Sequence, residues 1–461
     1  MAIITHILSR IIFYTLATLG LVRCIITGFV HGKAPLNHRQ RDKLSLARQR
    51  FWALSDQPLP GFEHAFITLK NGRKLHYIHN QHSVYKPEPL IIFIHGFPDS
   101  CFMWRHFLAP DHGVPRDSHL VCLDLPGYGG SDSFDVYDVS VLNALCKFCI
   151  AMRQLYRPSK VILVAHDWGC TLATQLAGEA PALADHFVLI NGLFAHLAIS
   201  NFRSRIRALP RLLSRLQLCQ AYRTVSLLSR QVWRFAYVCS FDLSGGVVGY
   251  ILGEWKDMAV LRGLARLANC RNNDFNLVEA LAASLGPDAA AASAKQDEKG
   301  VGGYGSTVLR KATSPATLFW NMTGLYRNGV LRGEWVHSEE LKATLQAIKP
   351  GTKTRKSSFN RTHLQGQLQA PATIIWGLDD HVMERQICFD RLAEGGYLAP
   401  GSEVITLPRA GHWVPLESEC LPVLTGVLQH LVRGEAGDCG PRLDGDVVKG
   451  WYRGAKVVSR T

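Results

Sequence analysis

The sequence predicts an α/β protein: a mostly parallel, doubly wound sheet with an inserted helical cap and an N-terminal transmembrane helix. Short, almost continuous apolar runs recur along the chain, as expected for strands that are buried on both faces of a parallel sheet. Helix-length segments such as Val139–Leu155 and Thr171–Glu179 separate these runs, and this alternation is typical of a doubly wound layer. The strands are predicted at Leu90–Ile94, Leu120–Asp124, Val161–Ala165, Phe187–Ile190, Thr373–Trp376 and Val404–Leu407.

The overall composition excludes wholesale disorder and indicates no nucleic-acid partner. The chain has 461 residues, of which 47% are hydrophobic and 19% are charged, and this is a globular composition. At about 100–200 residues per domain, the length allows two or three units. The formal net charge of +14 is compatible with a nucleic acid or a membrane surface as a partner. However, the sequence has no zinc-finger, RNA-binding or helix-turn-helix signature, so no nucleic acid is expected as a partner.

The first 31 residues are predicted to form a membrane anchor. Ile11–Val30 is mostly apolar and carries one charge, Arg23, and about 20 such residues suffice to cross a bilayer as a helix. The arginine lies near the end of the run, where a long side chain can reach the membrane interface. Two alternatives stay open: a cleaved signal peptide, although no small-residue cleavage site is evident, and a buried or interfacial helix.

The charges on either side of this segment predict its orientation. Six basic residues follow it closely, whereas Arg10 is the only Lys or Arg before it. By the positive-inside rule the body of the protein lies in the cytosol, and we expect a single-pass protein of the endoplasmic reticulum. The acceptor sequons at Asn321 and Asn360 should then stay unmodified. The six basic residues are Lys33, Arg39, Arg41, Lys43, Arg48 and Arg50.

The alternation of strands and helices stops near Phe194 and resumes near Ala370, which predicts a helical cap inserted into the sheet. The core is therefore expected at residues 32–193 and 370–432, and the cap at residues 194–369.

Three smaller features complete the predicted organisation. His64–Lys70 and Arg73–His79 flank Asn71-Gly72 and predict a β-hairpin ahead of the first buried strand. Gly286–Ser306 is rich in Ala, Gly and charge and is expected to be a mobile loop of the cap. Residues 433–461 are expected to be a polar tail.

One stretch of the predicted cap is unusually basic. Arginines recur there at every fourth residue, and no Asp or Glu occurs between residues 203 and 234. Such a helix face suits anionic lipid headgroups, whereas the alternative is a solvated face, kinked at Pro210. The regularly spaced arginines are Arg203, Arg207, Arg211 and Arg215.

The twelve cysteines are scattered mostly singly, and the nearest pair is Cys146-Lys-Phe-Cys149. A zinc site would need a second such pair or nearby histidines, and none follows. Both cysteines lie in an apolar, helix-like segment and are predicted to be core residues.

Polar clusters follow four of the predicted strands. In open α/β sheets, functional sites form beyond the carboxyl ends of the strands, so these clusters are expected to meet at one edge. They are His95-Gly-Phe-Pro98, His166-Asp-Trp-Gly169, Gly377-Leu-Asp-Asp380 and Gly411-His-Trp413.

With these motifs the chain resembles the α/β-hydrolase family, and within it the epoxide hydrolases, over roughly residues 60–431. The resemblance implies an α/β-hydrolase fold and the chain order nucleophile, acid, histidine, represented here by Asp167, Asp380 and His412. The elbow that reads G-x-S-x-G in acyl-cleaving relatives is Ala165-His-Asp-Trp-Gly169 in this chain, so the nucleophile would be an aspartate.

An aspartate nucleophile indicates chemistry at a saturated carbon. A carboxylate is already anionic at neutral pH, and its attack on an epoxide would leave an alkyl-enzyme ester on Asp167. His412 would activate the water that hydrolyses this ester, while Asp380 would orient the imidazole. Asp380 fits the family's W-G-x-x-D motif, with its neighbour Asp379 as the alternative. The acid position of some other relatives is Asn191 here, and an amide cannot serve as the acid.

The tetrahedral intermediate of ester hydrolysis needs an oxyanion hole. By resemblance, its donors would be the backbone N–H groups of Phe97 and Trp168. Asp124–Asp132 matches a further loop of the family, and we expect it to be structural. Phe97 belongs to a turn that matches the family's H-G-x-P motif, whose other residues are His95, Gly96 and Pro98.

Epoxide opening also needs a proton for the leaving alkoxide, and a phenol can donate it. Epoxide hydrolases use two cap tyrosines, and the chain has a candidate for each in the expected order. Tyr237 lies in a stretch similar to Y-x-x-x-F-Q, with Asp242 in place of the glutamine. Tyr326 lies in a stretch similar to W-Y-R-N, with Leu325 in place of the tryptophan.

Two rival functions stay open. A haloalkane dehalogenase would share the Asp-His-acid set, but its halide site often uses an Asn after His-Gly, where this chain has Phe97, and it needs no phenols. A catalytically silent, membrane-anchored binding protein on the same fold is the other alternative. The predicted partners are a lipophilic small-molecule epoxide, water and a membrane. No metal or organic cofactor is expected, because the protein itself supplies nucleophile, base and proton donors.

Overall fold

Nine strands form one sheet in the computed structural model, which describes residues 2–32, 35–80, 87–115, 117–243, 249–272, 275–294, 303–327, 329–330, 334–348, 365–434 and 443–460. The strands are β1 (Phe62–Thr68), β2 (Lys74–Asn80), β3 (Leu90–Ile94), β4 (His119–Leu123), β5 (Val161–His166), β6 (His186–Ile190), β7 (Ala372–Gly377), β8 (Glu403–Leu407) and β9 (Lys456–Arg460). Their spatial order is β1-β2-β4-β3-β5-β6-β7-β8-β9. Strands β3 to β8 are parallel, while β1, β2 and β9 pair antiparallel.

The predicted α/β class is confirmed, and each of the six predicted parallel strands agrees with the structure to within one residue at either end. Strands β3, β4, β5, β7 and β8 are buried along their whole length, which explains why they read as continuous apolar runs. The hairpin is also confirmed: β1 and β2 pair around the Asn71-Gly72 turn, where Gly72 has a φ of 78°.

Helices connect the strands and build the cap. The sheet is joined by α3 and α4, and the chain leaves it after β6 and returns at β7. The helices are α1 (Ala2–Val30), α2 (His38–Trp52), α3 (Ser140–Tyr156), α4 (Trp168–Glu179), α5 (Ala195–Ser214), α6 (Leu218–Ser240), α7 (Trp255–Ala268), α8 (Leu277–Leu285), α9 (Ala289–Ser293), α10 (Ser306–Thr313), α11 (Pro315–Met322), α12 (Gly324–Arg327), α13 (Glu339–Ala347), α14 (Arg385–Cys388), α15 (Leu421–Arg433) and α16 (Gly445–Trp451).

The cap therefore consists of α5 to α13, together with a π-helical turn at Gly249–Glu254. Within the expected mobile loop, residues 295–302 lie outside the described residues, and α9 occupies part of the remainder. Cys146 and Cys149 are buried and free in α3, as a core assignment requires. Helix α5 continues through Pro210.

Helix α2, which follows the N-terminal helix, was expected to belong to the core. In the structure it also contacts the cap. Helix α2 packs against α8, and the indole of Trp52 donates a 2.9 Å hydrogen bond to the carbonyl of Ala282. Arg48 donates to the carbonyls of Gly286 and Pro287. These contacts tie the cap to the start of the body.

The expected polar tail is only partly a tail, which corrects the prediction. Strand β9 pairs antiparallel with β8 and ends the sheet. The segment is held by apolar contacts, because Val448 and Ala455 are fully buried. The hydroxyl of Tyr452 also donates a 2.6 Å hydrogen bond to the carbonyl of Pro408. A short strand of mixed polarity looks like a polar tail in the sequence, because only tertiary contacts show that it pairs with β8.

Helix α1 includes a stretch, Ser9–Val30, that is long and apolar enough to cross a membrane. In the structure it packs along one side against α6 and α7 of the cap. The sequence suggested that Arg23 reaches the membrane interface. In the structure it instead donates hydrogen bonds to the carbonyls of Trp233 and Arg234, at 2.6 and 2.8 Å.

Candidate active site

The four predicted polar clusters lie together at the carboxyl edge of the sheet. They follow β3, β5, β7 and β8, which lie close together on one side of the sheet order, with β6 between β5 and β7. Parallel strands end at the same edge, so the residues that follow them converge. The structure brings Asp167, Asp380 and His412 into one hydrogen-bonded group at this edge.

Asp167 occupies a sharp turn between β5 and α4. Its φ is 51° and its ψ is −117°, a conformation that a non-glycine residue adopts only when its surroundings impose it. Two glycines make room for the turn. A Cβ atom at Gly96 would lie 2.5 Å from the Asp167 carboxylate, and one at Gly169 would collide with the carbonyls of Ile94 and His95. The turn thus presents the carboxylate at the top of the sheet.

His412 lies between two carboxylates. Its Nε2 is 3.3 Å from Oδ1 of Asp167, and its Nδ1 is 2.8 Å from Oδ2 of Asp380. The imidazole and the Asp380 carboxylate are buried, whereas the Asp167 side chain remains 15% exposed. One ring nitrogen therefore faces the predicted nucleophile and the other faces the predicted acid, as a base with an orienting partner requires.

The structure distinguishes Asp380 from its neighbour Asp379. The carboxylate of Asp380 accepts hydrogen bonds from the backbone N–H groups of Val382 and Met383, at 2.7 and 2.9 Å. Asp379 instead points outward and forms an ion pair with Arg271 at 3.1 Å. Asp380 is thus the carboxylate that faces the histidine.

Electrostatic interactions hold the three groups in their charged forms. Burial by itself would raise the pKa of Asp167, but the hydrogen bond and charge of His412 outweigh it and hold that pKa below its usual value. The same balance lowers the pKa of Asp380, where the His412 charge and the Asn191 amide oppose burial. Burial would lower the pKa of His412, but the two carboxylates raise it well above 6.5.

The turn after β3 supplies the predicted anion-binding groups. The backbone N–H of Phe97 donates a 2.9 Å hydrogen bond to Oδ2 of Asp167. Trp168 is the first residue of α4, so its N–H has no partner within the helix. The imidazole of His95 is fully buried and accepts the N–H of Leu125 at 3.0 Å, which fixes the turn. The peptide bond from Phe97 to Pro98 is cis.

The two predicted tyrosines come from different cap helices and pack against each other within reach of the Asp167 charge. Tyr237 belongs to α6 and Tyr326 to α12, and their ring centroids lie 6.1 Å apart. The ring of Tyr326 lies 4.8 Å from that of Trp168 and 5.4 Å from that of Phe97. Burial, together with the nearby Asp167 charge, raises the pKa of both phenols above the usual 10. Both therefore carry their protons at neutral pH.

Several supporting residues were missed from the sequence. Asn191, set aside because it cannot be an acid, donates a 2.8 Å hydrogen bond from its amide to Asp380. Arg234 of α6 donates to the carbonyls of Asp380 and Met383, which ties the cap to the acid loop. His166 contacts the carbonyl of His412 at 2.8 Å. Only its position next to the predicted nucleophile could have drawn attention to His166.

Two acidic residues near the site also have structural explanations. Asp99 directly follows the cis-proline turn, and burial raises its pKa to about 7 against the lowering effect of Arg105. Asp242, the departure from the family pattern, lies close to the guanidinium of Arg327. That guanidinium stacks 3.4 Å above the ring of Trp320. The unusual Asp242 is therefore accommodated beside the cation of Arg327, the residue that follows Tyr326 in sequence.

A cluster that could in principle ligate a metal lies away from the triad. Within the described residues, His76, Cys101 and Asp124 offer ligand atoms within 4.8 Å of one another. However, the Asp124 carboxylate already accepts hydrogen bonds from the Cys101 N–H, at 2.6 Å, and from the Gly130 N–H, at 2.8 Å. His76 also contacts His64 at 2.8 Å. These bonds identify the cluster as support for the loop that follows β4.

Sequence comparisons identify one family and several similar proteins. A profile of the Alpha/beta hydrolase family matches residues 91–420, which are more than half of the chain. Epoxide hydrolase 3 of Mus musculus is 35% identical over 141 residues, covering 28% of this chain and 36% of that protein. Epoxide hydrolase 1 of Caenorhabditis elegans is 30% identical over 171 residues, covering 36% and 37%. The aligned stretches thus span little more than a third of these relatives' own length.

Solved structures with a similar chain course include two epoxide hydrolases. The enzyme of Bacillus megaterium in complex with an inhibitor is 22% identical, with a TM-score of 0.47 over 80% of this chain and 99% of that chain. The enzyme of Vigna radiata is 16% identical, with a TM-score of 0.48 over 81% and 98%.

Proposed function

Because the chain belongs to the alpha/beta hydrolase family, we propose that its catalytic edge hydrolyses a lipophilic epoxide to a vicinal diol. One observation carries the proposal: a mostly enclosed aspartate occupies the turn after β5, beside His412, and its charge acts on two protonated tyrosines that pack against each other. This set provides an anionic nucleophile, a base and proton donors in one place. Relatives that carry the name epoxide hydrolase support this choice of substrate class.

In the first step, an oxygen of Asp167 attacks one epoxide carbon and the bond from that carbon to the ring oxygen breaks. The product is an ester on Asp167 and an alkoxide on the neighbouring carbon. Tyr237 and Tyr326 hydrogen-bond the ring oxygen, and one of them gives it a proton. Their raised pKa values keep both phenols protonated until the alkoxide forms.

In the second step, His412 takes a proton from water, and the hydroxide attacks the ester carbonyl of Asp167. The backbone N–H groups of Phe97 and Trp168 stabilise the oxyanion. The intermediate then expels the diol and restores the Asp167 carboxylate, and the proton on His412 returns through solvent to the phenolate that the first step left. Ester formation removes one negative charge beside His412, so its pKa falls and the imidazole becomes the neutral base that this step needs.

The walls of the site favour an apolar substrate. The aromatic rings of Phe97, Trp168, Phe241 and Phe319 line the space next to Tyr326 or contact one another there. The paired phenols disfavour the haloalkane dehalogenase alternative, because a halide leaving group needs no phenolic proton. Phe97 also stands where such enzymes often have an amide donor. The silent binding protein is disfavoured because the proposed nucleophile, base and acid form one hydrogen-bonded group and the two proposed proton donors pack together nearby.

The decisive experiment replaces the base and traps the ester. We expect His412→Gln, incubated with a panel of epoxides, to gain the intact mass of one epoxide, because the ester forms but cannot be hydrolysed. The double variant with Asp167→Ala is the control and should gain nothing. An adduct with haloalkanes alone would establish a dehalogenase. No adduct with either class, together with no turnover by the natural protein, would favour the silent binding protein.

We also propose that the protein resides on the endoplasmic reticulum with its catalytic body in the cytosol. The basic residues after α1 support this side of the membrane, because the cytoplasmic leaflet carries the anionic lipids that attract them. An acceptor sequon placed in a tag after Thr461 should stay unmodified in microsomes, and its glycosylation would place the body in the lumen. Of the natural sequons, Asn321 lies in α11, while Asn360 lies outside the described residues.

A further inference from the structure

Helix α1 is packed side by side with the cap, and this packing constrains how it can meet a membrane. A Cβ atom at Gly20 would overlap the carbonyl of Ala236 in α6, and one at Gly28 would lie 3.3 Å from Val260 in α7. Ala17 is fully buried. Cys24, four residues after Gly20, contacts Ser240, four residues after Ala236, so α1 runs parallel to α6.

Helix α6 is in turn fixed to the catalytic core. Arg234 donates to the carbonyls of Asp380 and Met383, at 3.1 and 2.9 Å, and Arg230 forms an ion pair with Glu384 at 3.2 Å. If α1 crossed a bilayer of about 30 Å hydrocarbon thickness, α6 and the acid loop would lie at the same depth. The polar groups of that loop would then enter the hydrocarbon, which is costly. The packing therefore argues against a spanning helix.

The opposite face of α1 is uncovered. Side chains on this face have 42–59% of their surface exposed, although they are large and apolar. A helix with one face on protein and one apolar face free is suited to lie in the plane of the membrane interface. The exposed residues are Ile11, Ile12, Tyr14, Leu19, Val22, Ile26, Phe29 and Val30.

The helical hairpin of α5 and α6 continues this apolar surface beyond α1. Because α1 runs parallel to α6, its N-terminal end points towards the start of α6, where the hairpin turns. Leu216 is 80% exposed there, Leu218 is 60% exposed and Tyr222 is 74% exposed. On α5, Ile199, Ile206 and Leu213 are also exposed, and a spacing of seven residues places them on one face.

Exposed positive charge borders these apolar residues. On α5, Arg203 lies four residues after Ile199 and so borders the apolar face of that helix. Each later arginine of the row is rotated about 40° further around the helix, across its exposed side. Each of these guanidinium groups is exposed, and no acidic residue occurs between residues 203 and 234 to neutralise them. Apolar side chains flanked by arginine match the chemistry of an anionic leaflet. The arginines are Arg203, Arg207, Arg211, Arg215 and, on α6, Arg223.

We propose that the exposed faces of α1, α5 and α6 form one membrane-binding surface, which enters a single leaflet of an anionic bilayer without crossing it. This arrangement replaces the single-pass helix expected from the sequence. It does not depend on the reaction proposed above. It does place the site beside lipid, since Tyr237 lies on α6, where the Arg23 guanidinium of α1 is 6.0 Å from its ring.

The arrangement is tested by asking on which side of a membrane the two chain ends lie. The full chain carries an acceptor sequon in a tag before Met1 or in a tag after Thr461 and is synthesised with microsomes. We expect both tags to report the same side, and the intact chain to stay in the membrane fraction through a high-salt wash. Tags on opposite sides would establish a spanning helix and overturn the proposal. Release by salt, or loss of the N-terminal tag by cleavage, would overturn it equally.

The charged part of the surface is tested with vesicles. The full chain is synthesised with vesicles of phosphatidylcholine alone, or with about a third phosphatidylserine, and flotation measures binding. Changing Arg203, Arg207 and Arg211 to Gln should weaken binding to the anionic vesicles by at least about tenfold, because each arginine near the surface contributes up to about fivefold. The matched control changes three exposed cations elsewhere, Lys147, Arg310 and Arg453, to Gln and should bind as the natural chain does. Equal losses in both triple variants, or no loss in either, would overturn the role of the α5 arginines.

Discussion

The catalytic core and the cap contribute to the same site by different physical means. In the core, Asp167, Asp380 and His412 follow strands whose register is set by backbone hydrogen bonds, and each side chain has at least one polar partner. In the cap, Tyr237 and Tyr326 are positioned by packing among aromatic rings, on helices that are tied to the core by a few arginines. The difference teaches that strand register fixes the geometry of the proposed nucleophile, whereas the proposed proton donors depend on how the cap packs onto the core.

The largest expected effect comes from the core's orienting acid. Asp380→Asn should lower kcat by about 10⁴-fold, because an amide favours the wrong histidine tautomer and cannot stabilise the imidazolium. Asp379→Asn is the matched control, one residue away and paired with Arg271 at the surface, and should stay within about twofold of the natural rate. Steady-state kinetics measure both, and circular dichroism checks the fold. Similar losses in the two variants would contradict the assignment of Asp380.

The cap is examined by removing its phenols. Tyr326→Phe and Tyr237→Phe should each slow alkylation of Asp167 by only about tenfold, because the other tyrosine still donates to the alkoxide, whereas the double variant should approach about 10⁴-fold. Rapid-quench measurement of the ester gives this rate. Tyr222→Phe changes an exposed tyrosine of the same helix as Tyr237 and should leave the rate unchanged. A loss in the double variant that only equals the product of the two single losses would mean that the two phenols do not act on one oxygen.

The pH dependence separates the two steps. Alkylation should be level between about pH 6 and 9, because the pKa of Asp167 is lowered and the pKa values of the phenols are raised. Hydrolysis needs neutral His412, whose pKa is raised by two carboxylates and falls when one is esterified. Its rate should therefore drop by about tenfold per pH unit on the acidic side and level off above the pKa. Single-turnover kinetics resolve the two steps, and a hydrolysis rate that increases towards acid would contradict the role of His412.

The smallest expected effect concerns the link between the two regions. Arg234→Met removes two hydrogen bonds from a charged donor to the acid loop, and we expect the free energy of unfolding to fall by about 1.5–3 kcal/mol. Arg230→Met is the control: that side chain is half exposed, and its ion pair should contribute less than about 1 kcal/mol. Denaturant unfolding measures both. Hydrogen exchange should also become faster in α6 of the Arg234 variant only.

Much of the core was predictable because its signals are local. A strand buried on both faces must be apolar along its length, so β3, β5 and β7 were found to within one residue. The residues after them were equally predictable as a group, since parallel strands end at one edge. The choice between Asp379 and Asp380 was not determined by spacing alone, and the structure shows which of the two carboxylates faces His412.

The sequence by itself determined the α/β class, the aspartate in the nucleophile turn and the order of the chemical groups, because these follow from strand hydrophobicity and from residues adjacent to strands. Only the tertiary structure decided that Asn191 supports the acid, that β9 completes the sheet and that α1 packs along α6. These features depend on contacts between residues far apart in the chain. An apolar helix is the same in sequence whether lipid surrounds it or a cap covers one face, and only the packed neighbours distinguish the two.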